Sequence, residues 1–142
     1  MIKLGNNIRK FSTYSCQPTT RDELKDIIKH RIEKEGPNCN LNDIDTSLIT
    51  DMSCLFYDSR FNGDISKWNT SNVKNMSGMF AKSDFNQPIG DWDVSNVIDM
   101  KGMFYKSKFN QDISNWNIRQ DCDTKYAFFG CSIKEKYKPN FQ

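Results

Sequence analysis

Five cysteines and a single histidine are the side chains in this chain best suited to nucleophilic or metal chemistry. The thiols are scattered along the sequence, at Cys16, Cys39, Cys54, Cys122 and Cys131. No pair has the CxxC spacing of a zinc site, and His30 lies within a predicted helix. A zinc site is therefore the disfavoured alternative. We predict no metal and no cofactor, with the thiols reduced and acting as small hydrophobic side chains.

Aspartates recur along the chain and are candidates for calcium ligands or catalytic groups. Asp64, Asp91, Asp93 and Asp112 are the candidates. They lack the dense D-x-D-G pattern of a calcium loop, and no nucleophile can be paired with a base. Polar residues that recur in stacked repeats usually satisfy turn backbone groups instead. We therefore predict no catalytic residues and a protein that is not an enzyme.

Three tryptophans, Trp68, Trp92 and Trp116, are spaced 24 residues apart. An outward-facing ladder of indole rings would be a stacking platform for carbohydrate or single-stranded nucleic acid. Ile44 occupies the equivalent place one repeat earlier, which favours an inward-facing core column instead. We favour the core and keep the exposed platform as the alternative.

All of these residues must be positioned by one repeating stretch, Phe61 to Ser132. FNGDISKWNTSNVKNMSGMFAKSD is followed by FNQPIGDWDVSNVIDMKGMFYKSK and FNQDISNWNIRQDCDTKYAFFGCS. Residues 37–60 fit the same register with fewer aromatic residues. The sequence therefore predicts four 24-residue coils, at 37–60, 61–84, 85–108 and 109–132, because a fixed period of this size is typical of stacked repeats.

Two local signals alternate within each coil. Residues 61–70 resemble an extended segment, and residues 75–80 place apolar side chains at the i, i+3 and i+4 spacing of one helical turn. Stacking would align the extended segments as parallel strands about 4.8 Å apart. We therefore predict an α/β repeat solenoid, in which each coil supplies a short parallel β-strand and a short helical turn.

Apolar residues that recur at one repeat position predict the core, because coils on both sides bury them. The predicted structural core is Phe61, Phe85, Phe109, Ile65, Ile89, Ile113, Trp68, Trp92, Trp116, Val73, Val97, Met76, Met100, Phe80 and Phe104. Other strand positions are predicted to face outward and differ from coil to coil, which suggests a partner-binding surface. This predicted partner-binding face is Asp64, Ser66, Lys67, Pro88, Gly90, Asp91, Asp112, Ser114 and Asn115.

The segments around the repeats are predicted to cover the ends of a single domain, 1–142. Residues 1–18 form an arm or edge strand, and residues 133–142 form a tail. Residues 19–36 form an amphipathic helix that starts with a capping box at Thr20 and Glu23 and lies over the first coil.

Composition narrows the expected partners and compartment. The formal net charge of +2 is too balanced to indicate nucleic acid. No apolar run is long enough to span a membrane, and no signal peptide is legible. We therefore expect a cytoplasmic monomer or weak dimer that binds another protein, or a cell-surface location if residues are missing from the N-terminus.

The repeats resemble those of a known family. The motifs Asn72-Val73…Met76…Met79-Phe80 and Phe85-Asn86…Ile89…Trp92…Ser95 are similar to the BspA-like leucine-rich repeats of bacterial surface proteins and lipoproteins. The resemblance covers residues 37–132. It implies a leucine-rich-repeat-like solenoid with a role in protein binding or adhesion, and it implies no catalytic residues.

Three functions remain open from the sequence. The first is a non-catalytic protein-binding scaffold that presents a variable face. The second is a small inhibitor or decoy from a mobile element that occludes a host or phage enzyme. The third is a surface adhesin or carbohydrate-binding module, which requires the tryptophans to face outward.

Overall fold

The computed structural model describes residues 14–140, which contain two helices and otherwise consist mainly of turns. Helix α1 spans Arg21–Glu35, and a 3-10 helix spans Glu135–Tyr137. Four isolated parallel bridges are the only strand-like pairings in these residues. The first thirteen residues of the predicted N-terminal arm lie outside the described part of the chain. Its remainder stacks beside the first coil through a bridge between Cys16 and Ile44.

Helix α1 lies against the first coil, and its sequence explains both of its ends. Thr20 Oγ1 accepts a hydrogen bond from the Glu23 amide at 3.1 Å, and Glu23 Oε1 accepts one from the Thr20 amide at 3.3 Å. This is the capping box expected from the sequence. Leu24 and Ile28 are buried in the same core cluster as the coils. The amide of Gly36 closes the last turn on the Ile32 carbonyl at 2.8 Å.

Aromatic side chains of successive coils stack on one another. The ring centroids of Phe61 and Phe85 are 6.1 Å apart, and those of Phe85 and Phe109 are 6.2 Å apart. The three indoles stack at 6.4 and 6.5 Å, with ring planes within 5° of parallel. The structure places all the predicted core residues in the interior, none more than 4 % exposed.

Backbone hydrogen bonds join successive coils, and we call residues 51–58, 75–82, 99–106 and 123–130 the turn ladder. Alternate amides of one coil donate to carbonyls of the next, such as Met76 to Asp99 and Phe80 to Met103, both at 2.8 Å. The intervening amides close turns within their own coil, as Ala81 does on Gly78 at 3.1 Å.

Two positions in every coil of the turn ladder have left-handed backbone. Their φ values lie between +53° and +70°, at Cys54, Asp58, Gly78, Lys82, Gly102, Lys106, Tyr126 and Gly130. Left-handed residues interrupt both an extended strand and a right-handed helix, because neither structure allows positive φ. The chain therefore advances through this segment as linked turns.

The predicted α/β repeat solenoid is wrong. Within residues 14–140 there is no sheet, and the segments predicted as strands and helical turns are neither. Pairing occurs instead at Asp51, Asn75, Asp99 and Asp123, and Asn75 was expected to begin a helical turn. The i, i+3 and i+4 apolar spacing was read as helix, but left-handed residues two positions into the pattern convert it into turns.

Shortening a ring in the middle of the phenylalanine stack should destabilise the fold strongly. Phe85 is fully buried and contacts the rings of Phe56, Phe61, Phe80 and Phe109. We expect Phe85→Ala to lower the free energy of unfolding by about 3–5 kcal/mol, measured by urea denaturation. The control is Leu48→Ala, at a half-exposed side chain, where a change within about 0.5 kcal/mol is expected. Equal losses for the two variants would contradict a continuous aromatic core.

Candidate functional site

The tryptophan column is inward-facing and tied to the backbone. Each indole Nε1 donates to a carbonyl of the preceding coil: Trp68 to Leu41 at 2.9 Å, Trp92 to Ile65 at 3.1 Å and Trp116 to Ile89 at 3.0 Å. Each indole is 4 % exposed. The stacking platform that a carbohydrate-binding module would need is therefore not formed by these rings.

Polar residues that recur between coils are also committed to the backbone. The Asn62 side-chain oxygen accepts from the Asn86 amide at 2.8 Å, and Asn86 accepts from Asn110 at the same distance. Asn72 and Asn96 each donate to a carbonyl of the preceding coil at 2.7 Å. No buried side-chain nitrogen or oxygen in the described residues lacks a partner. These columns stabilise the stack and are not available to a ligand.

Several aspartates that could serve in chemistry instead form local turns. Asp93 Oδ1 accepts from the Ser95 hydroxyl at 2.6 Å and from its amide at 3.0 Å, and these bonds hold the pKa of Asp93 below its usual value. Asp112 has a lowered pKa for the same reason, through Ser114. Asp64 has a lowered pKa mainly because the Ser66 amide donates to it. In residues 14–140 no cluster of His, Cys, Asp or Glu could hold a metal ion.

The cysteines do not form a reactive centre. All five are free thiols. Cys39 is buried and Cys54 is exposed. Burial, followed by the Asp99 carboxylate, raises the pKa of Cys122 to about 11. Burial also raises the pKa of Cys39. Both groups are protonated at neutral pH and are therefore poor nucleophiles.

The nine residues of the predicted partner-binding face lie at three repeat positions, and we call them the variable face. Five of them, together with Gln111, line one shallow depression of about 240 Å³: Ser66, Pro88, Gly90, Asp91 and Asp112. The other four residues lie on the same coils and are exposed: Asp64, Lys67, Ser114 and Asn115. Asp64 and Ser114 also take part in hydrogen bonds of local turns. The face belongs to turns, because no strand forms there.

Position 7 of each coil is the least constrained part of the variable face. Lys67, Asp91 and Asn115 occupy it, and all three are exposed. None of their side chains makes a hydrogen bond or an ion pair with the described residues. Three different chemistries are thus presented in a row without a structural task.

Gly90 is on the variable face for a structural reason. A Cβ added to Gly90 would lie 2.7 Å from the Asp112 carbonyl oxygen of the next coil. The contact is with backbone, so it cannot be relieved by a side-chain rotation. The glycine at this position therefore reflects close approach of two coils.

Exposed aromatic residues near the last coil were missed by the sequence analysis. Tyr126 is 60 % exposed and Phe129 is 56 % exposed, and the two rings meet edge to face at 6.0 Å. Tyr105 stacks on Phe129 at 5.6 Å. A signal was available, since Tyr126 replaces the glycine of two earlier coils at a position outside the core columns.

The local carboxylate turns should make the stability depend on acid pH. A carboxyl with a lowered folded-state pKa stabilises the fold above its unfolded pKa, about 3.9 for Asp, and loses that contribution as pH falls through the folded pKa. Asn69 occupies the position of Asp93 one coil earlier and makes the same bonds to Ser71 at 3.0 and 2.7 Å. Asp93→Asn should therefore keep the turn and reduce the drop in urea midpoint as the pH falls below about 4.

The converse substitution, Asn69→Asp, is the matched test. It should enlarge the same drop in urea midpoint, since it adds a titrating group to an identical turn. If both variants follow the wild-type pH dependence, these bonds do not perturb the carboxyl pKa in solution.

Comparison with known proteins corrects the predicted relationship. The sequence matches the family described as "Mycoplasma protein of unknown function, DUF285" over residues 24–140. No curated protein and no solved structure gives a significant match. The resemblance to BspA-like leucine-rich repeats is therefore wrong as an assignment, in agreement with the absence of strands from the described coils. The matched segment covers most of the chain, from Leu24 in the first turn of α1 to the tail. The chain therefore belongs to the DUF285 family of Mycoplasma proteins.

Proposed function

We propose that this chain is a non-catalytic scaffold that binds another protein through the variable face. The observation that carries the proposal is the contrast between repeat positions. Polar residues that recur are bonded to the backbone, whereas Lys67, Asp91 and Asn115 differ between coils and their side chains make no hydrogen bond or ion pair within residues 14–140.

The shape of the face also supports a macromolecular partner. Its depression of about 240 Å³ is smaller than the 300–1,000 Å³ typical of small-molecule pockets. The residues around it are held on a stack in which backbone hydrogen bonds join each coil to the next. A rigid surface of this kind loses little conformational entropy when a partner binds.

Charge on the face favours a partner with complementary charge. Asp64, Asp91 and Asp112 carry three carboxylates against the single ammonium group of Lys67. The lowered pKa of Asp64 and Asp112 keeps both ionised under mildly acidic conditions. Opposite charge on the partner would accelerate association and determine its orientation.

The described part of the chain contains no helix that is both long and apolar enough to cross a bilayer. The proposal that the partner is a protein is argued from the exposed polar residues of the variable face alone. Occlusion of an enzyme by this face is one use of the same binding, and capture of one stoichiometric enzyme would identify it.

Charge reversal on the variable face should weaken partner binding without unfolding the protein. Partners are captured with the tagged full-length chain from cells that carry its gene, identified by mass spectrometry and then titrated as purified proteins. The double variant Lys67→Glu, Asp91→Lys should bind about tenfold more weakly or worse. Circular dichroism and the urea midpoint should remain unchanged, because neither side chain makes a hydrogen bond or an ion pair within residues 14–140.

The matched control is Lys74→Glu, which reverses an exposed charge at repeat position 14, away from the variable face. This variant should retain wild-type affinity. Equal affinity of the double variant and the wild type would refute binding through the variable face.

A further inference from the structure

Three amide donors of the turn ladder are unused on the last coil within the described residues. In the first three coils these alternate amides donate to the next coil, such as Gly78 to Lys101 at 2.9 Å and Lys82 to Tyr105 at 2.7 Å. The equivalent amides of Thr124, Tyr126 and Gly130 have no acceptor within residues 14–140. We call residues 124–130 the open edge.

The open edge offers donors and almost no acceptors. The carbonyls of Lys125, Ala127 and Phe129 already accept from the third coil, at 2.8 to 2.9 Å. The amides of Ala127 and Phe129 close turns within the last coil. A ligand that completes this edge must therefore supply a row of hydrogen-bond acceptors.

The opposite end of the ladder is covered by the protein itself. Arg21 Nε donates to the Ser53 carbonyl, which is one of the acceptors that the first coil presents outward. Leu24 and Ile28 of α1 are buried over the same coil. A second copy of the chain could not extend the ladder head to tail unless α1 moved away.

The tail covers only part of the last coil. Ile133 is buried, the Lys134 amide donates to Asn110 Oδ1 at 3.0 Å, and the Ile113 amide donates to the Tyr137 carbonyl at 3.0 Å. These contacts close the half that contains Phe109, and Lys138 Nζ lies 5.7 Å from the ring centroid of Phe128 in the open edge. Tyr126, Phe129 and Gly130 remain exposed.

Cations and aromatic rings flank the open edge. Lys106 Nζ lies 5.2 Å from the Tyr105 ring centroid, and Lys125 Nζ lies 5.5 Å from that of Tyr126. Neither ammonium group forms an ion pair with a carboxylate in the described residues. From residue 101 onward the chain has eight Lys and Arg against four Asp and Glu, a formal charge of +4, while the remainder carries −2.

We propose that the open edge binds an extended, acidic peptide segment of a partner protein. Alternate carbonyls along one side of an extended chain would accept from the amides of Thr124, Tyr126 and Gly130. Acidic side chains of the peptide would meet Lys106 and Lys125. The rings of Tyr126 and Phe129 would cover its apolar side chains.

Two observations favour a peptide over a nucleic acid strand. Asp121 and Asp123 lie beside the open edge, and Asp123 is within 3.9 Å of Lys101. A phosphate backbone carries a charge at every nucleotide and would meet these carboxylates, whereas a peptide carries charge only at selected residues. The proposal does not depend on binding at the variable face.

The direct test uses nuclear magnetic resonance on the isotopically labelled full-length chain. The probe is the acetylated and amidated peptide TEVETEVE, and the comparison peptide is TKVKTKVK. The acidic peptide should shift the amide signals of Thr124, Tyr126 and Gly130 and slow their exchange with solvent. The basic peptide should produce no shift at the same concentration.

Variants separate the charge contribution from the backbone contribution. Lys106→Glu combined with Lys125→Glu should weaken the acidic peptide about tenfold or more, and Lys74→Glu should not. Thr124→Pro removes one donor that has no internal partner, so it should weaken binding, while Thr124→Ala keeps the donor and the affinity. If Thr124→Pro fails to fold, the amide shifts of the wild type decide the question.

Four outcomes would overturn the proposal. They are shifts confined to the variable face, no protection of the three amides at saturating peptide, stronger binding of oligothymidine than of the acidic peptide, and self-association that protects the same amides without peptide. The last outcome would assign the edge to a second copy of the chain.

Discussion

Backbone hydrogen bonds between successive coils are the interaction on which this structure depends. Alternate amides of each coil reach the carbonyls of the next, and left-handed residues turn the remaining amides back into their own coil. Each coil must therefore have the same length as its neighbours, since a single added residue would place a turn amide where a ladder amide is required. The stacked phenylalanine and tryptophan columns follow from this register because they repeat every 24 residues.

The same register explains why so much polar sequence repeats without marking a reaction site. Asn62 and Asn86 bind the amide of the next asparagine, and each indole binds a carbonyl one coil back. A polar group buried in a narrow stack costs free energy unless it is bonded, so selection for stability alone is enough to repeat it. Residues that do not repeat are consequently more informative about function than those that do.

Sequence reasoning found the repeat and the residues that fill its interior, and it misjudged the backbone that carries them. Phe61, Phe85 and Phe109 could be aligned because core burial is visible as periodic apolar residues. Strands were expected because Ile65 and Trp68 are typical of extended segments. Both residues are nevertheless buried in a stack of coils whose backbone forms turns. Left-handed backbone at Lys82 and Lys106 has no signature in residue type, since lysine seldom adopts it.

The candidate sites show the same division between what is visible in a sequence and what is not. Positions that vary between coils could be listed from the sequence, and the structure groups several of them around one depression. The close approach of Gly90 to the Asp112 carbonyl could not be foreseen, because it depends on the distance between coils. The donors of Thr124 and Tyr126 belong to the backbone and have no residue signature at all.

Contacts limited to adjacent coils also have an evolutionary consequence. Each internal coil presents the same donors on one side and the same acceptors on the other, so duplication or loss of one whole coil rejoins matching surfaces. Unequal recombination within such a gene can then change the span of the protein while preserving its interior. Natural relatives of different length are expected to differ by complete repeats and to keep the two terminal segments that close the stack.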